Sequence, residues 1–527
     1  IPADATGDMF GQIYEYFLGK FAMAEGQGGG EFFTPRSVVR LMVEIIEPHE
    51  GTVFDPACGS GGMFVQSAQF VEKRNASLNK GNPDLFVYGQ EKTLETVKLA
   101  RMNIFVNGLR GKIEQANTYY EDPYKSFEQF DYVLANPPFN VNDVNLGKVE
   151  SDKRFNTYGI PRNKTKTKTK GEEVCPNGNY LWINLFATSL KKSGRAGLVM
   201  ANSASDARHS EADIRQNLIE SNLIYAMITL PSNMFYTVTL PATLWFFDKA
   251  KKDQRILFID ARNVFTQIDR AHREFTEEQI QNLAIISRLH KGIRQDFIEL
   301  VQSYFQKGFT RLTEHTDSLK DVAKQVTAFL KTSKTKIPDF APVVDSSKNL
   351  SAQWQKVEKG FSVKEIKESN KAQHGLTKKT KPFFEKLHEL LKVVDKEVRH
   401  LEKENNNSKS SDTKEMKIAL EALHKEVKES EYYFKHIHWL QERFPEAKYE
   451  DVTGLCKLAT IDEVKEQEYS LNPGRYVGVV IEEDGKTEEE FINEMVDLND
   501  ELEELNKEAR SLEKIIGKNI RQIAGDI

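Results

Sequence analysis

Cysteine is nearly absent: Cys58, Cys175 and Cys456 are the only three in a chain of 527 residues. They are too far apart to form a metal-ligand pattern, so no metal centre is expected. An odd, sparse set suits a reducing compartment, the cytoplasm, better than a disulfide framework. No run of about eighteen apolar residues occurs, which excludes a helical membrane span by this measure. A surplus of positive charge is also missing: 73 Lys and Arg stand against 79 Asp and Glu, a formal net charge of −6. A protein that grips a phosphate backbone unaided carries a basic excess. Any nucleic-acid substrate would therefore have to be attracted by a local basic face or by a partner subunit. Position 1 lacks methionine, and no signal-peptide pattern is visible. The opening Ile1-Pro2-Ala3-Asp4 predicts that an N-terminal segment precedes it.

What is present is ordinary globular composition, 39% apolar and 29% charged, over a length that holds two or three domains. Between residues 36 and 262 short apolar runs alternate with helix-like stretches. The strand candidates are 52–54, 85–89, 132–135, 197–201, 225–230, 243–247 and 256–260; the helical ones include 63–73, 94–107, 180–191 and 210–221. Such alternation predicts an α/β fold, a mostly parallel sheet with helices on both faces. Ligands of such sheets bind beyond the carboxyl ends of the strands, so functional loops should follow strands directly. The second half turns to Lys/Glu-rich helical sequence. Apolar residues at 387, 391, 394, 398 and 401, a polar break over 404–412 and a second helical run over 416–440 predict an antiparallel helical hairpin. Near the end, Phe491, Met495, Leu498, Leu502, Leu505, Ala509, Leu512 and Ile516 repeat at steps of four and three. That heptad seam fits either a helix packed on its own domain or one that binds a partner. The interval 140–179 breaks the alternation and contains the basic run Lys164-Thr165-Lys166-Thr167-Lys168-Thr169-Lys170. A loop of this length is a solvated tip or a functional contact, here with DNA.

Four strand ends carry the chemistry. Strand 52–54 runs into Asp55-Pro56-Ala57-Cys58-Gly59-Ser60-Gly61-Gly62, after which a helix begins at Met63. Glycines at that point let backbone approach a ligand, or serve only a tight turn. The spacing differs from the Gly-x-Gly-x-x-Gly of dinucleotide folds, and a small zwitterion fits better, its ammonium held by Asp55 or by backbone carbonyls. Glu91 ends the second strand, where an acid accepts hydrogen bonds from ribose hydroxyls or caps the next helix. Residues 75–84 read as a loop insertion that lengthens the interval before it. Asn117 follows the third strand region, 113–115, and either bonds an adenine or shapes a turn.

Strand 131–135 ends in Asn136-Pro137-Pro138-Phe139, the most informative tetrapeptide in the chain. Two prolines fix φ and remove two amide donors, so the loop presents acceptors. The Asn136 amide oxygen and the Pro137 carbonyl can accept both hydrogens of one amino group. That keeps the nitrogen lone pair out of a purine ring and aims it at an activated methyl. Phe139 offers a face for base stacking. Placed directly after a parallel strand and downstream of the glycine loop, the tetrapeptide favours catalysis over a mere proline strand terminator.

In order and spacing these four sites resemble the amino-methylating DNA methyltransferases, and more narrowly the modification subunit of type I restriction–modification systems. The residues that carry the resemblance are Gly30-Glu31-Phe32-Phe33-Thr34-Pro35-Arg36, the 55–62 loop, Gln90-Glu91, Asn136–Phe139 and Tyr469-Ser470-Leu471-Asn472-Pro473-Gly474-Arg475-Tyr476-Val477. The similarity covers nearly all of 7–265 and resumes over 455–527; the interval 300–450 is longer than the common family pattern. The resemblance implies a seven-stranded, Rossmann-like methyltransferase sheet followed by a mainly helical region. It divides the chain into 1–30 (the tail of an N-terminal helical domain), 31–265 (the methyltransferase domain), 266–455 (helical) and 456–527 (a closing segment and the heptad helix).

Carried over position by position, the resemblance implies S-adenosylmethionine as cofactor. Glu31, Phe32, Phe33, Thr34, Pro35 and Arg36 would wrap it, with Thr34 and Pro35 near its methionine end. Asp55, Ala57, Gly59, Ser60, Gly61 and Gly62 would line its loop, Glu91 would take the ribose, and Asn117 stands where the family commonly has Asp. Asn136, Pro137, Pro138 and Phe139 would hold an adenine flipped out of double-stranded DNA for N6 methylation. The implied partners are a specificity subunit that reads the DNA and a second copy of the modification subunit; a restriction subunit is compatible with the same system. A mildly acidic catalytic chain is then expected, with the 491–516 helix as a dock. The alternatives are a protein glutamine N5-methyltransferase, which shares the Asn-Pro-Pro-aromatic core but usually carries Tyr at the position of Phe139, and a non-catalytic assembly module.

Overall fold

The computed structural model describes residues 34–77, 84–162, 165–166, 173–175, 177–235, 241–270, 272–331, 341–404 and 411–480, together with 495, 499, 502, 505–507 and 509–517. The chain forms two compact units that divide between Gly478 and Val479. In the first unit the strands of the main sheet are β1 (Glu50–Asp55), β2 (Asp84–Glu91), β3 (Arg110–Gln115), β4 (Phe130–Ala135), β5 (Leu190–Ala201), β6 (Ile224–Thr229), β7 (Ala242–Asp248), β8 (Ile256–Asp260) and β9 (Cys456–Ala459). They lie in one sheet in the order β3-β2-β1-β4-β5-β7-β6-β8-β9. All neighbours are parallel except β7, which opposes both β5 and β6, and β9, which opposes β8. The sheet thus has nine strands rather than the seven expected. β3 is an edge strand with charged, mostly exposed residues, and β9 pairs from far downstream, a contact that no local pattern announces.

The central strands are buried almost throughout, as in β6 and β7, because helices cover both faces. Successive residues split between two cores. Val53, Leu134, Val199 and Phe246 face one, with α1 (Arg36–Ile46), α2 (Gly62–Ser77), α3 (Leu94–Val106) and α6 (Glu277–His290). Phe54, Val133, Leu198 and Trp245 face the other, with α4 (Asn179–Ser189) and α5 (Ser210–Glu220). Between β1 and β4 the strand order reverses. Val53 pairs with Tyr132 and Phe54 with Val133, so the carboxyl ends of these two strands emerge side by side. That is the topological switch point at which such sheets bind ligands.

After α6 come α7 (Arg294–Glu314), α8 (Thr316–Lys331), α9 (Ala341–Lys359), α10 (Ile366–Glu404) and α11 (Ser411–Arg443). The last two form the expected hairpin, but α10 begins well before residue 383. Pro382 lies inside it, on an exposed position where water can satisfy the carbonyl that proline leaves unbonded. The bundle is filled by aromatic rings, Trp354 stacking on Phe309 at 5.4 Å and 8°. It is fixed to the sheet through α6, whose Arg288 binds Glu44 at 2.7 Å and Glu47 at 3.2 Å, both buried on or just beyond α1.

The chain then returns. β9 joins the sheet, a capping box of Thr460 and Glu463 starts α12 (Ile461–Glu466), and Tyr476 stacks on Phe258 of β8 at 3.9 Å. The closing segment 456–477 therefore lies in the first unit, on the other side of the division from the heptad helix. In the second unit Met495, Leu502, Leu505, Ala509, Leu512 and Ile516 are helical and exposed; Phe491 and Leu498 lie outside the described residues. So do residues 1–33, the 78–83 part of the expected loop insertion, and all of the Lys164–Lys170 run but Thr165 and Lys166. No helix among the described residues is long and apolar enough to cross a membrane.

Candidate active site

The glycine loop joins β1 to α2. Asp55 is 1% exposed, and its Oδ1 accepts the Ala57 amide at 2.9 Å. Gly59 and Gly61 take φ of +51° and +85°, left-handed values that admit glycine without penalty. The loop is held from outside: Cys58 N–H donates to the Gln90 carbonyl at 2.9 Å, Asn103 Nδ2 to the Ser60 carbonyl at 2.9 Å, and Thr118 Oγ1 to the Pro56 carbonyl at 2.6 Å. Ala57 and Ser60 complete the turn, and Gly62 opens α2.

Glu91, at the end of β2, reaches the same loop. Its Oε2 accepts the Gly59 amide at 3.2 Å and its Oε1 accepts Thr93 N–H, at the start of α3, at 2.9 Å. The carboxylate is thus both a cap for α3 and a wall of the loop. A carboxylate has about four lone-pair sites, so two bonds do not exhaust it. Burial pushes the Asp55 carboxyl well above the usual range; the Ala57 amide partly offsets this, and the nearby Glu91 charge adds to it. Burial likewise raises the Cys58 thiol, with Asp55 and Glu91 contributing. A buried acid pushed toward neutrality beside a second carboxylate is a site that a cation would stabilise.

Asn136 leaves β4 beside this loop, half-buried, and its Nδ2 donates to Thr34 Oγ1 at 2.9 Å. Pro35 starts α1, its carbonyl accepting the amides of Val38 and Val39 at 3.0 and 3.1 Å. Pro137 is buried, Pro138 half-buried, and Phe139 lies partly buried between the two cores. The geometry therefore brings together Thr34, the 55–62 loop, Glu91 and Asn136. Arg36 stands apart from that group: it is exposed, and its guanidinium donates to Gln69 of α2 at 3.3 Å. Asn117 uses its amide oxygen to accept Tyr119 N–H at 3.2 Å. Glu31, Phe32 and Phe33 lie outside the described residues. Among the described residues no group of three metal-ligating side chains occurs.

Sequence reasoning misses Asn103 and Thr118, which hold the glycine loop, and Asn140, Asn177 and Asn179, which hold the far end of the Asn136–Phe139 turn. Thr118 has a signal, its place just after a strand end. Asn103 sits within a helix and has none.

The family model for N-6 DNA methylases matches residues 5–303 and 386–485, well over half of the chain. The type I restriction enzyme MjaIX methylase subunit of Methanocaldococcus jannaschii is 40% identical over 281 residues, 52% of this chain and 48% of that protein. The type I restriction enzyme HindI methylase subunit of Haemophilus influenzae is 36% identical over 280 residues, 53% of this chain and 59% of the other. The chain thus spans about half the length of the curated relatives it matches. Among solved structures, the type I restriction-modification methyltransferase subunit of Streptococcus thermophilus superposes with a TM-score of 0.46 at 26% identity, covering 54% of this chain and 58% of that one.

Proposed function

The chain belongs to the N-6 DNA methylase family, and from that premise we propose that it is the modification subunit of a type I restriction–modification system, methylating the exocyclic amine of adenine in double-stranded DNA. The observation that carries the reading is the meeting of two strand ends. Asn136, bound to Thr34, leaves β4 beside the Asp55 loop that ends β1.

The residues present fit S-adenosylmethionine. Asp55 is a buried acid in want of a cation, Glu91 keeps acceptor capacity for ribose hydroxyls, and the glycine turn admits close backbone approach. When bound, the cofactor supplies a sulfonium-activated methyl group, and transfer turns the sulfonium into a neutral thioether. Thr34 fixes the rotation of the Asn136 amide by engaging its nitrogen. Asn136 Oδ1 and the Pro137 carbonyl would accept the two amine hydrogens of the flipped adenine and orient its lone pair for transfer. Phe139 stacks on the base. One amine proton passes to solvent after transfer. Because the duplex must come to a chain of net charge −6, we assign most of its attraction to a specificity subunit, with a second modification subunit on its other side.

Asn136→Ala abolishes methylation and leaves cofactor affinity nearly intact, measured by label transfer from S-adenosylmethionine and by calorimetry. Loss of cofactor binding with activity retained would overturn the role. Label appearing on protein and never on unmodified DNA would point instead to a glutamine methyltransferase, a reading that Phe139 in place of Tyr disfavours.

A further inference from the structure

The Asn136–Phe139 turn is anchored at its near end by the sheet, where Ala135 of β4 pairs with Leu198 of β5. Its far end is held by a side chain 39 residues downstream. Asn140 stands at φ +54°, a left-handed conformation that asparagine tolerates better than most residues. Its backbone N–H donates to Asn179 Oδ1 at 2.8 Å, and its Oδ1 accepts Asn179 Nδ2 at 3.0 Å. Asn177 Nδ2 donates to the same Asn140 oxygen at 3.0 Å, while Asn177 Oδ1 accepts the Asn179 amide at 2.9 Å. Gly178 N–H closes the ring on the Val141 carbonyl at 2.9 Å. A Cβ at Gly178 would lie 2.6 Å from the hydroxyl of the buried Tyr119, so only glycine fits between Asn177 and Asn179 without displacing that ring.

Asn179 is 2% exposed and is the first residue of α4, part of the buried framework of the second core. Both ends of its amide are used against Asn140, one as acceptor and one as donor. Only an amide in this place can do both; an aspartate would set a second acceptor against the Asn140 oxygen. Between the two anchors Pro137 and Pro138 have fixed φ. Few torsions remain free, and the placement of the Asn136 and Phe139 side chains follows from where Asn140 is held.

We propose that Asn179 is a positioning residue for methyl transfer, locking Asn140 through the paired amide so that the turn meets the target amine in a single geometry. The inference rests on the reading of Asn136–Phe139 as the amine-binding turn.

The test uses the full chain assembled with its specificity subunit, a duplex bearing the recognition site, and S-adenosylmethionine. A shift of the reacting groups by about 1 Å costs on the order of 100-fold in rate. Asn179→Asp should therefore lower the single-turnover rate about 10- to 100-fold, with the cofactor Kd and KM held within about two-fold. Asn177→Ala removes one of the two donors to Asn140 from a half-buried site, and should lower the rate less with the same split. It decides the matter if Asn179→Asp does not fold. Undiminished rates in the variants beside an active wild type overturn the inference alone, and so does a loss that tracks cofactor affinity. A wild type that puts no label on DNA overturns the amine-methylation reading, and this inference with it.

Discussion

An aspartate buried to 1% exposure beside a second carboxylate is costly to ionise, and this decides how the site responds to pH. Because burial raises the Asp55 pKa in the folded chain, the neutral acid persists to higher pH there than in the unfolded chain. Its contribution to stability is complete below the ordinary carboxylate range and is lost as pH rises through the raised value. A bound ammonium reverses the preference. Affinity for S-adenosylmethionine should weaken as pH falls through the raised pKa, and binding between the ordinary range and that raised value should release protons. Calorimetry in buffers of different ionisation enthalpy reads this directly, and Asp55→Asn should abolish both effects. Asn103→Ala removes the bond to the Ser60 carbonyl and should weaken cofactor binding about five-fold, the value of one ordinary hydrogen bond. Asp55, Glu91 and Asn136 are legible in the sequence because each ends a strand, and the fold class alone says that strand ends meet ligands. Asn103 and Asn179 are not legible there, and Thr118 only through its place after a strand end. Each acts by a side chain reaching 43, 62 or 39 residues along the chain, a contact that local pattern does not record.

At the level of elements, the same distinction separates what periodicity shows from what packing alone decides. The hairpin of α10 and α11 is visible in its apolar spacing, whereas the start of α10 is hidden by Pro382, a residue that normally ends a helix but is here solvent-facing. The ion cluster joining α6 to Glu44 and Glu47 is invisible, since its members lie about 240 residues apart. Arg288 is the shared cation. Its replacement by Met leaves Glu44 with Arg40 and Glu47 with Lys291 and Arg195, so the loss is that of the Arg288 charge-assisted bonds, and stability should fall by about 1.5–3 kcal/mol in urea unfolding. For the C-terminal helix, removal of residues 491–527 should spare cofactor binding and prevent assembly with the specificity subunit. Co-elution of the shortened chain with that subunit would count against its role as a dock.

Taken whole, the molecule carries its chemistry in a sheet that one stretch of chain does not complete. β8 is buried along its full length, and its outer partner, β9, arrives only after the helical bundle has been made. At ribosomal speeds of about 5–20 residues per second, roughly two hundred intervening residues leave that apolar margin without its neighbour for about 10–40 s. An uncovered sheet margin recruits other chains. The nascent protein should therefore depend on chaperone cover during that interval, and chains terminated near residue 450 should accumulate as insoluble material while those reaching residue 480 do not.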